Sequence, residues 1–286
     1  MSLEALLLVL AAAALHTGWN FMVKRVEDKH VFTWLALIVG ALLFLPVLAQ
    51  GAPIPASIWP YAVASALVEA AYFIALIHAY DRGDFSLVYP MARGAAPAFL
   101  GVWATLFLGE APRAVGVAGL VVLLSGLLVV GGGAWWTQRC TTTLNVSAIG
   151  AALGVALCIS IYSVIDGAAV QLMAPMPYTE LVFGLTAVLV TPAILSRYGG
   201  HAAVAIWRAQ WKGIVWVGIL MLLAYMLVLH AYAVARVSYV GALREVSTVF
   251  AALAGWRWLK ESFGPVRTIG AALICLGMLI IAVAGE

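Results

Sequence analysis

Among the ionisable residues inside apolar segments of this sequence, five are candidates for chemistry: Glu69, Arg93, Asp166, Arg244 and Glu245. An ionisable side chain at the centre of a membrane-spanning helix costs on the order of 2.5–3.5 kcal/mol on insertion scales, so it usually faces the protein interior or a water-filled cavity. A fixed arginine in such a place recognises an anionic group, for example a carboxylate. The alternative is a structural ion pair in which Glu69 or Glu245 is the partner. Both interpretations stay open.

Aromatic and polar side chains accompany these charges at helical spacing. Residues three, four or seven positions apart share one face of a helix, which places Tyr72 beside Glu69 and Tyr162 beside Asp166. Together they predict a cavity with aromatic walls and a few polar groups, as in a typical small-molecule site. A core or interfacial position stays open for each lone tyrosine. The expected substrate-binding residues are His16, Trp19, Asn20, Glu69, Tyr72, Arg93, Tyr162, Ser163, Asp166, Tyr225, Arg244 and Glu245.

Two histidines, His78 and His230, occupy matching places near the ends of apolar segments. An imidazole titrates near neutral pH and is therefore a candidate for proton coupling. A hydrogen bond that serves helix packing is the alternative interpretation.

The sequence lacks the motifs of enzymes, metal sites and nucleotide-binding proteins. There is no Ser-His-Asp order, metal-ligand cluster, phosphate loop or Walker motif, so we expect no enzyme activity, no cofactor, no metal site and no use of ATP. The net charge of +3 is spread out, which argues against nucleic-acid binding. The expected partners are a small-molecule substrate and the lipid bilayer, and a monomer is the working hypothesis.

The elements that carry these residues are expected to be membrane helices. Hydrophobic residues make up 65% of the chain and charged residues 9%, against about 25% charged in soluble domains. Apolar runs of roughly 20 residues, the length that spans a bilayer, predict an all-α membrane protein of ten helices. The predicted spans are 3–23, 31–49, 59–80, 85–108, 114–134, 147–170, 178–196, 213–234, 238–259 and 266–284. Between the seventh and eighth, the amphipathic segment 201–212 is predicted to lie at the membrane interface.

The sequence repeats itself at an offset of about 151 residues. His78-Ala79-Tyr80 matches His230-Ala231-Tyr232, Leu108-Gly109-Glu110 matches Leu259-Lys260-Glu261, and Gly119 and Gly126 match Gly270 and Gly277. The predicted repeats are 1–140 and 141–286, with five helices each. An odd number of spans makes the second repeat enter the membrane from the opposite side, so two inverted repeats should surround a central cavity near the midplane.

The repeat also relates the two buried arginines, because Arg93 and Arg244 each precede their repeat's glutamate by 17 residues. The predicted helix that carries Arg93 contains Pro90 and Pro97. A proline removes a backbone donor and tends to kink a helix, so this helix is expected to bend around the site.

Five short stretches carry a family resemblance: Gly18-Trp19-Asn20-Phe21 ending in Lys24, Tyr89-Pro90-Met91-Ala92-Arg93, Leu108-Gly109-Glu110, Ala242-Leu243-Arg244-Glu245 and Lys260-Glu261. Together they resemble the EamA family of the drug/metabolite transporter superfamily. The resemblance implies ten helices, a central cavity and export of amino acids or related metabolites. One departure is clear, because the first span has no acid after Glu4 to perform the proton exchange of the small multidrug members.

The sequence gives two conflicting predictions for the side of the membrane on which the termini lie. Ten loop lysines and arginines follow odd-numbered spans and only Arg113 and Arg236 follow even-numbered ones, which places both termini outside by the positive-inside rule. The family resemblance implies cytoplasmic termini.

The leading functional hypothesis is a secondary transporter that exports small metabolites by alternating access. Amino acids, aromatic or hydrophobic ones in particular, are the expected substrates, and the bacterial inner membrane is the expected location. The alternatives are a flippase for a lipid-linked substrate, a membrane enzyme that acts on lipid, and a scaffold without transport.

Overall fold

A computed structural model of the chain describes residues 1–51, 53–82, 85–111, 113–137, 146–250, 253 and 265–284. These residues form α-helices with short connections and two single 3-10 turns, and they contain no strand. The helices are α1 (Leu3–Lys24), α2 (Lys29–Gln50), α3 (Trp59–Arg82), α4 (Phe85–Phe107), α5 (Ala114–Thr137), α6 (Val146–Ala169), α7 (Pro175–Val234), α8 (Val237–Leu243) and α9 (Pro265–Ala284). The all-α architecture agrees with the prediction.

Five of the described helices, α1, α2, α3, α6 and α7, contain segments long and apolar enough to cross a membrane. Shorter apolar segments lie in α4, α5 and α9. Large apolar side chains such as Leu7, Leu128 and Val283 are exposed on the helix surfaces. Helices satisfy their own backbone hydrogen bonds in lipid, and the exposed apolar surface suits that solvent. The chain is therefore a multi-pass membrane protein.

Helix α7 is too long for one crossing. Its 60 residues would extend about 90 Å if straight, against a hydrocarbon core of about 30 Å. The backbone leaves helical geometry at Gly199 (φ 75°, ψ 157°) and at Gln210 (φ −136°, ψ 20°), and glycine adopts such a positive φ without steric penalty. Helix α7 thus contains the predicted seventh and eighth spans, with the amphipathic segment 201–212 between them. In this segment Trp207 and Trp211 are exposed.

The ninth predicted span is interrupted. Helix α8 ends at Leu243, and a 3-10 turn follows over Arg244–Val246. The hydroxyl of Thr17 on α1 donates a hydrogen bond of 3.1 Å to the carbonyl oxygen of Ser247, just after this turn. Irregular backbone at membrane depth requires such internal partners. The break places Arg244 where the helix geometry changes.

Helices α5 and α9 pack together through glycines. A Cβ atom added at Gly277 would lie 2.6 Å from the carbonyl oxygen of Gly119, and one added at Gly126 would lie 2.7 Å from that of Gly270. Residue numbers rise along one helix as they fall along the other, so the pair is antiparallel. Small residues permit this close approach of two backbones.

Gly277→Ala is expected to lower the melting temperature of the detergent-solubilised protein. Its new methyl group would lie 2.5 Å from the backbone nitrogen of Leu123, and overpacking of this kind costs about 1–3 kcal/mol. Gly154→Ala is the matched control, because nothing lies within 4 Å of an added Cβ atom there. Equal melting temperatures for the two variants would show that this helix contact does not support the fold.

The remaining packing connects the two halves. Helix α2 lies along α7, α3 and α4 pack against α6, and α1 packs against α7 and the turn that carries Arg244. The amino group of Met1 donates a hydrogen bond of 3.1 Å to the carbonyl oxygen of Ala282. The start of α1 and the end of α9 therefore lie on the same side, which requires an even number of crossings. The count of ten remains a prediction.

Candidate functional site

Asp166 is fully buried near the end of α6 and accepts two hydroxyl hydrogen bonds from α7. Tyr178 donates to Oδ1 at 2.7 Å, and Tyr225 donates to Oδ2. Tyr178 lies in the first turn of α7, whereas Tyr225 lies beyond the kink at Gly199 and Gln210. One carboxyl group therefore links both segments of α7 to α6.

Glu69 brings a second buried carboxyl group to this place from α3. Thr186 on α7 donates a hydrogen bond of 3.0 Å to its Oε2, and Glu69 interacts electrostatically with Asp166. Ser65, one turn earlier on α3, is also fully buried. Its hydroxyl lies beside Asp166 and Tyr178 without hydrogen-bond geometry to either. The two carboxyl groups thus come from different halves of the chain and form one cluster.

Arg244 is the cation that the described residues bring to this cluster. Its side chain is 7% exposed and interacts electrostatically with Glu69 and Asp166. It also interacts with Glu245 and with the hydroxyl groups of Tyr162 and Tyr232. Its Nε atom has no hydrogen-bond partner among the described residues, and Arg244 and Glu69 form no ion pair there. The structural ion pair with Glu69 is thus not observed.

A row of aromatic rings adjoins the charged groups. The ring centroids of Tyr72 and Tyr162 are 6.3 Å apart, those of Tyr162 and Tyr225 are 6.3 Å apart, and those of Tyr225 and Phe183 are 5.5 Å apart. The first two pairs meet edge to face, a favourable geometry for aromatic rings. This aromatic row (Tyr72, Tyr162, Tyr225 and Phe183) joins α3, α6 and α7.

The candidates on α1 form a group of their own. Asn20 Nδ2 donates a hydrogen bond of 2.7 Å to the carbonyl oxygen of His16, and the rings of His16 and Trp19 lie 5.0 Å apart. Trp19 and Tyr225 pack against the same apolar cluster, which contains Phe183. The α1 group therefore adjoins the end of the aromatic row.

Two further candidates are buried near Arg244. Ser163 on α6 is fully buried and lies beside the hydroxyl of Tyr232. Glu245, in the 3-10 turn, is 1% exposed. Both positions agree with an interior location, and their expected contact with substrate remains a prediction.

The structure describes the side chain of only one of the two candidate histidines. His230 Nδ1 lies 2.9 Å from the carbonyl oxygen of Met226, one turn earlier on its own helix. This hydrogen bond lies within one helix, and proton coupling by His230 remains a prediction. The side chains of His78 and Arg93 lie outside the described residues, so proton coupling by His78 and anion binding by Arg93 remain predictions.

Three residues of the cluster were not among the candidates from the sequence: Ser65, Tyr178 and Thr186. Ser65 precedes Glu69 by four positions, and this helical spacing is a signal that could have found it. Thr186 is 117 positions from Glu69, and only the fold brings them together. Glu180 is another missed acid, 2% exposed near the start of α7.

Glu110 has a structural role that the repeat alone did not reveal. Its carboxylate accepts hydrogen bonds from the backbone nitrogen atoms of Val237 and Ser238, at 2.5 and 3.1 Å, and from the Ser238 hydroxyl at 2.5 Å. Carboxylates stabilise the start of a helix because its first N–H groups have no partners within the helix. Glu110 therefore fixes the start of α8, the helix that leads to Arg244.

Glu110→Ala is expected to lower the free energy of unfolding by about 1–2 kcal/mol, the upper range for loss of a helix cap. The melting temperature in detergent measures the effect. Glu27→Ala, which removes an exposed carboxylate, is the control and should leave that temperature nearly unchanged. A Glu110→Ala protein that melts like the control would contradict the capping role.

A groove of about 350 Å³ lies between α4, α5 and α8. Its lining contains no charged residue and no member of the carboxyl cluster or the aromatic row: Ala98, Gly101, Val102, Thr105, Leu106, Val117, Leu120, Ser238 and Tyr239. A lipid-directed function predicts a polar slot that opens between helices. This groove is mainly apolar and does not have that character.

Comparisons with known proteins bear on the whole chain. Residues 3–132 and 146–283 match the model of the family described as the EamA-like transporter family. No curated protein matches the chain. Among 28 matching chains of solved structures, one described as "Crystal structure of protein" is 19% identical, with a TM-score of 0.76 and 98% of each chain covered. This likeness shows a shared fold.

Proposed function

Because the chain belongs to the EamA-like transporter family, we propose that it is a secondary transporter that exports amino acids, aromatic or hydrophobic ones in particular, across the bacterial inner membrane. The observation that carries the substrate class is Arg244, a buried guanidinium whose Nε has no partner among the described residues. A buried donor without a partner costs about 1–3 kcal/mol, more when it is charged. A substrate carboxylate relieves that penalty.

In this proposal the aromatic row contacts the side chain of the amino acid. Tyr162 interacts with Arg244 and stands between Tyr72 and Tyr225 in the row. A substrate whose carboxylate reaches Arg244 therefore places its side chain against aromatic rings. Such a surface suits an apolar or aromatic side chain.

We assign the architecture to two inverted five-helix repeats, and the crossed glycine contacts support this assignment. Gly119 and Gly126 correspond to Gly270 and Gly277 at an offset of 151 residues. The contacts join Gly119 to Gly277 and Gly126 to Gly270. A twofold axis produces such crossed pairs between equivalent surfaces, and the antiparallel helices require the axis to lie in the membrane plane.

The described conformation represents the closed state of an alternating-access cycle. Asp166 and Tyr178 are fully buried, and Glu69 and Arg244 are each 7% exposed. The hydrogen bonds of Tyr178 and Tyr225 to Asp166 hold the two segments of α7 against α6. Substrate entry requires these helices to separate on one side.

A thermal-shift screen of the purified protein tests this function. Ligands that bind the folded state raise the melting temperature, so amino acids with large apolar side chains should raise it. The matching amines, which have the same side chains without the carboxyl group, should not. An effect of lipid-linked compounds together with none from any amino acid would support the lipid flippase or lipid enzyme instead.

A further inference from the structure

The carboxyl cluster carries an excess of negative charge. Glu69 and Asp166 interact with each other and with Arg244. Glu245, which is 1% exposed, also interacts with Arg244, so three carboxyl groups face one guanidinium among the described residues. A buried net charge is expensive in a medium of low dielectric constant. Each proton that these carboxyl groups bind reduces the excess by one charge.

Three elements place polar groups around Glu69. Helix α6 contributes Asp166 and Tyr162, helix α7 contributes Thr186 and Tyr225, and the 3-10 turn contributes Arg244. The side chain of Arg93 on α4 lies outside the described residues. Of the groups that are described, Arg244 alone is a cation.

The two carboxyl groups differ in their hydrogen bonds. Both oxygens of Asp166 accept a tyrosine hydroxyl, from Tyr178 and Tyr225. Glu69 accepts a bond at Oε2 from Thr186 and also interacts with the hydroxyl of Tyr225, which donates to Asp166. Glu69 therefore has fewer direct hydroxyl hydrogen bonds than Asp166.

An unpartnered hydroxyl points to a further ligand at the same place. Ser65 Oγ is fully buried, has no hydrogen-bond partner among the described residues and lies beside Asp166 and Tyr178. Ser65 and Glu69 share one face of α3 at a spacing of four residues. A hydroxyl in this position can accept a hydrogen bond from a protonated carboxyl group.

We propose that Glu69 and Asp166 form a proton-binding site in which one exchangeable proton resides on Glu69. Binding of the proton lowers the buried negative charge by one, because protonated Glu69 is neutral beside ionised Asp166 and the Arg244 cation. A proton needs one acceptor oxygen, whereas Na⁺ needs several oxygen ligands around one point, and the Asp166 oxygens already accept tyrosine hydroxyls. When the transporter changes its open side, the proton taken from water on one side leaves to water on the other. Use of the proton as the coupling ion rests on the proposed transport function, whereas its binding does not.

Infrared spectroscopy of the full-length protein in detergent tests the site directly. The wild type at pH 7 should show the carbonyl stretch of a protonated carboxyl group in the pH 7 minus pH 10 difference spectrum, and Glu69→Gln should lose it. Glu4→Gln, at an exposed acid, should retain it. An unchanged band in Glu69→Gln would overturn the assignment.

Melting curves provide a second readout. Loss of the proton leaves a buried net negative charge, so the melting temperature of the wild type should fall from pH 6 to pH 9, whereas that of Glu69→Gln should fall less. Choline chloride and sodium chloride should give the same wild-type curve. If sodium chloride raised the melting temperature of the wild type at pH 9 but not that of Glu69→Gln, the site would bind Na⁺ rather than a proton. That result would contradict the proposal. Absence of amino-acid flux would remove the transport function and leave the infrared result intact.

Discussion

Arg244→Ala is expected to reduce amino-acid transport by about tenfold or more, because a hydrogen bond to a charged group contributes about 1.5–3 kcal/mol and 1.4 kcal/mol corresponds to a factor of ten. Initial rates in proteoliposomes measure this loss. The repeat-equivalent Arg93→Ala is expected to act in the same direction. Arg244→Lys should retain part of the rate, since lysine keeps the charge but cannot bind a carboxylate with two parallel hydrogen bonds.

The control separates recognition from folding. Arg208→Ala removes an exposed arginine and should leave both transport and membrane insertion unchanged. The amount of Arg244→Ala protein in the membrane should fall less than its transport rate. Equal losses of the two quantities would favour a structural role for Arg244 and contradict substrate recognition.

The second large effect is expected for Asp166→Ala. This change removes the acceptor of two tyrosine hydroxyls, from buried Tyr178 and half-buried Tyr225. Each buried donor that loses its partner costs about 1–3 kcal/mol, so the melting temperature in detergent should fall markedly. Glu27→Ala, at an exposed position, is the matched control.

A double variant sharpens this prediction. In the Asp166→Ala background, Tyr178→Phe removes one of the two hydroxyls that have lost their acceptor, so it should restore part of the stability. In the wild-type background the same Tyr178→Phe change should be destabilising. A destabilising effect of equal size in both backgrounds would show that the hydroxyl does not depend on Asp166.

The helices could be predicted because their signal is local. Apolar runs predicted α4 at 85–108 and α9 at 266–284, and the structure gives Phe85–Phe107 and Pro265–Ala284. The break at Arg244 was not predicted, because the one local signal, Gly241 three positions earlier, is common in membrane helices. Tertiary contacts such as the hydrogen bond from Thr17 to Ser247 accompany that break, and they join distant parts of the chain.

The candidate site was only partly visible in the sequence. Charge inside apolar runs identified Glu69, Asp166 and Arg244, because burial of an ionisable group is rare without a reason. Their partners were not visible, since Thr186 reaches Glu69 across 117 positions. The structural alternative for Arg244, an ion pair with Glu69, was a reasonable expectation from charge alone. Glu245, the other partner that the charges suggested, does interact with Arg244, so the role of this arginine in substrate binding remains a prediction.

Solute counterflow in proteoliposomes tests the central claim most directly. Vesicles that contain the purified wild-type protein and a high internal concentration of an unlabelled amino acid should accumulate the same labelled amino acid, with aromatic and hydrophobic ones fastest. Vesicles with Arg244→Ala should accumulate little, and amines without a carboxyl group should not exchange. No accumulation of any amino acid by correctly inserted wild-type protein, with or without internal substrate, would contradict the proposed function.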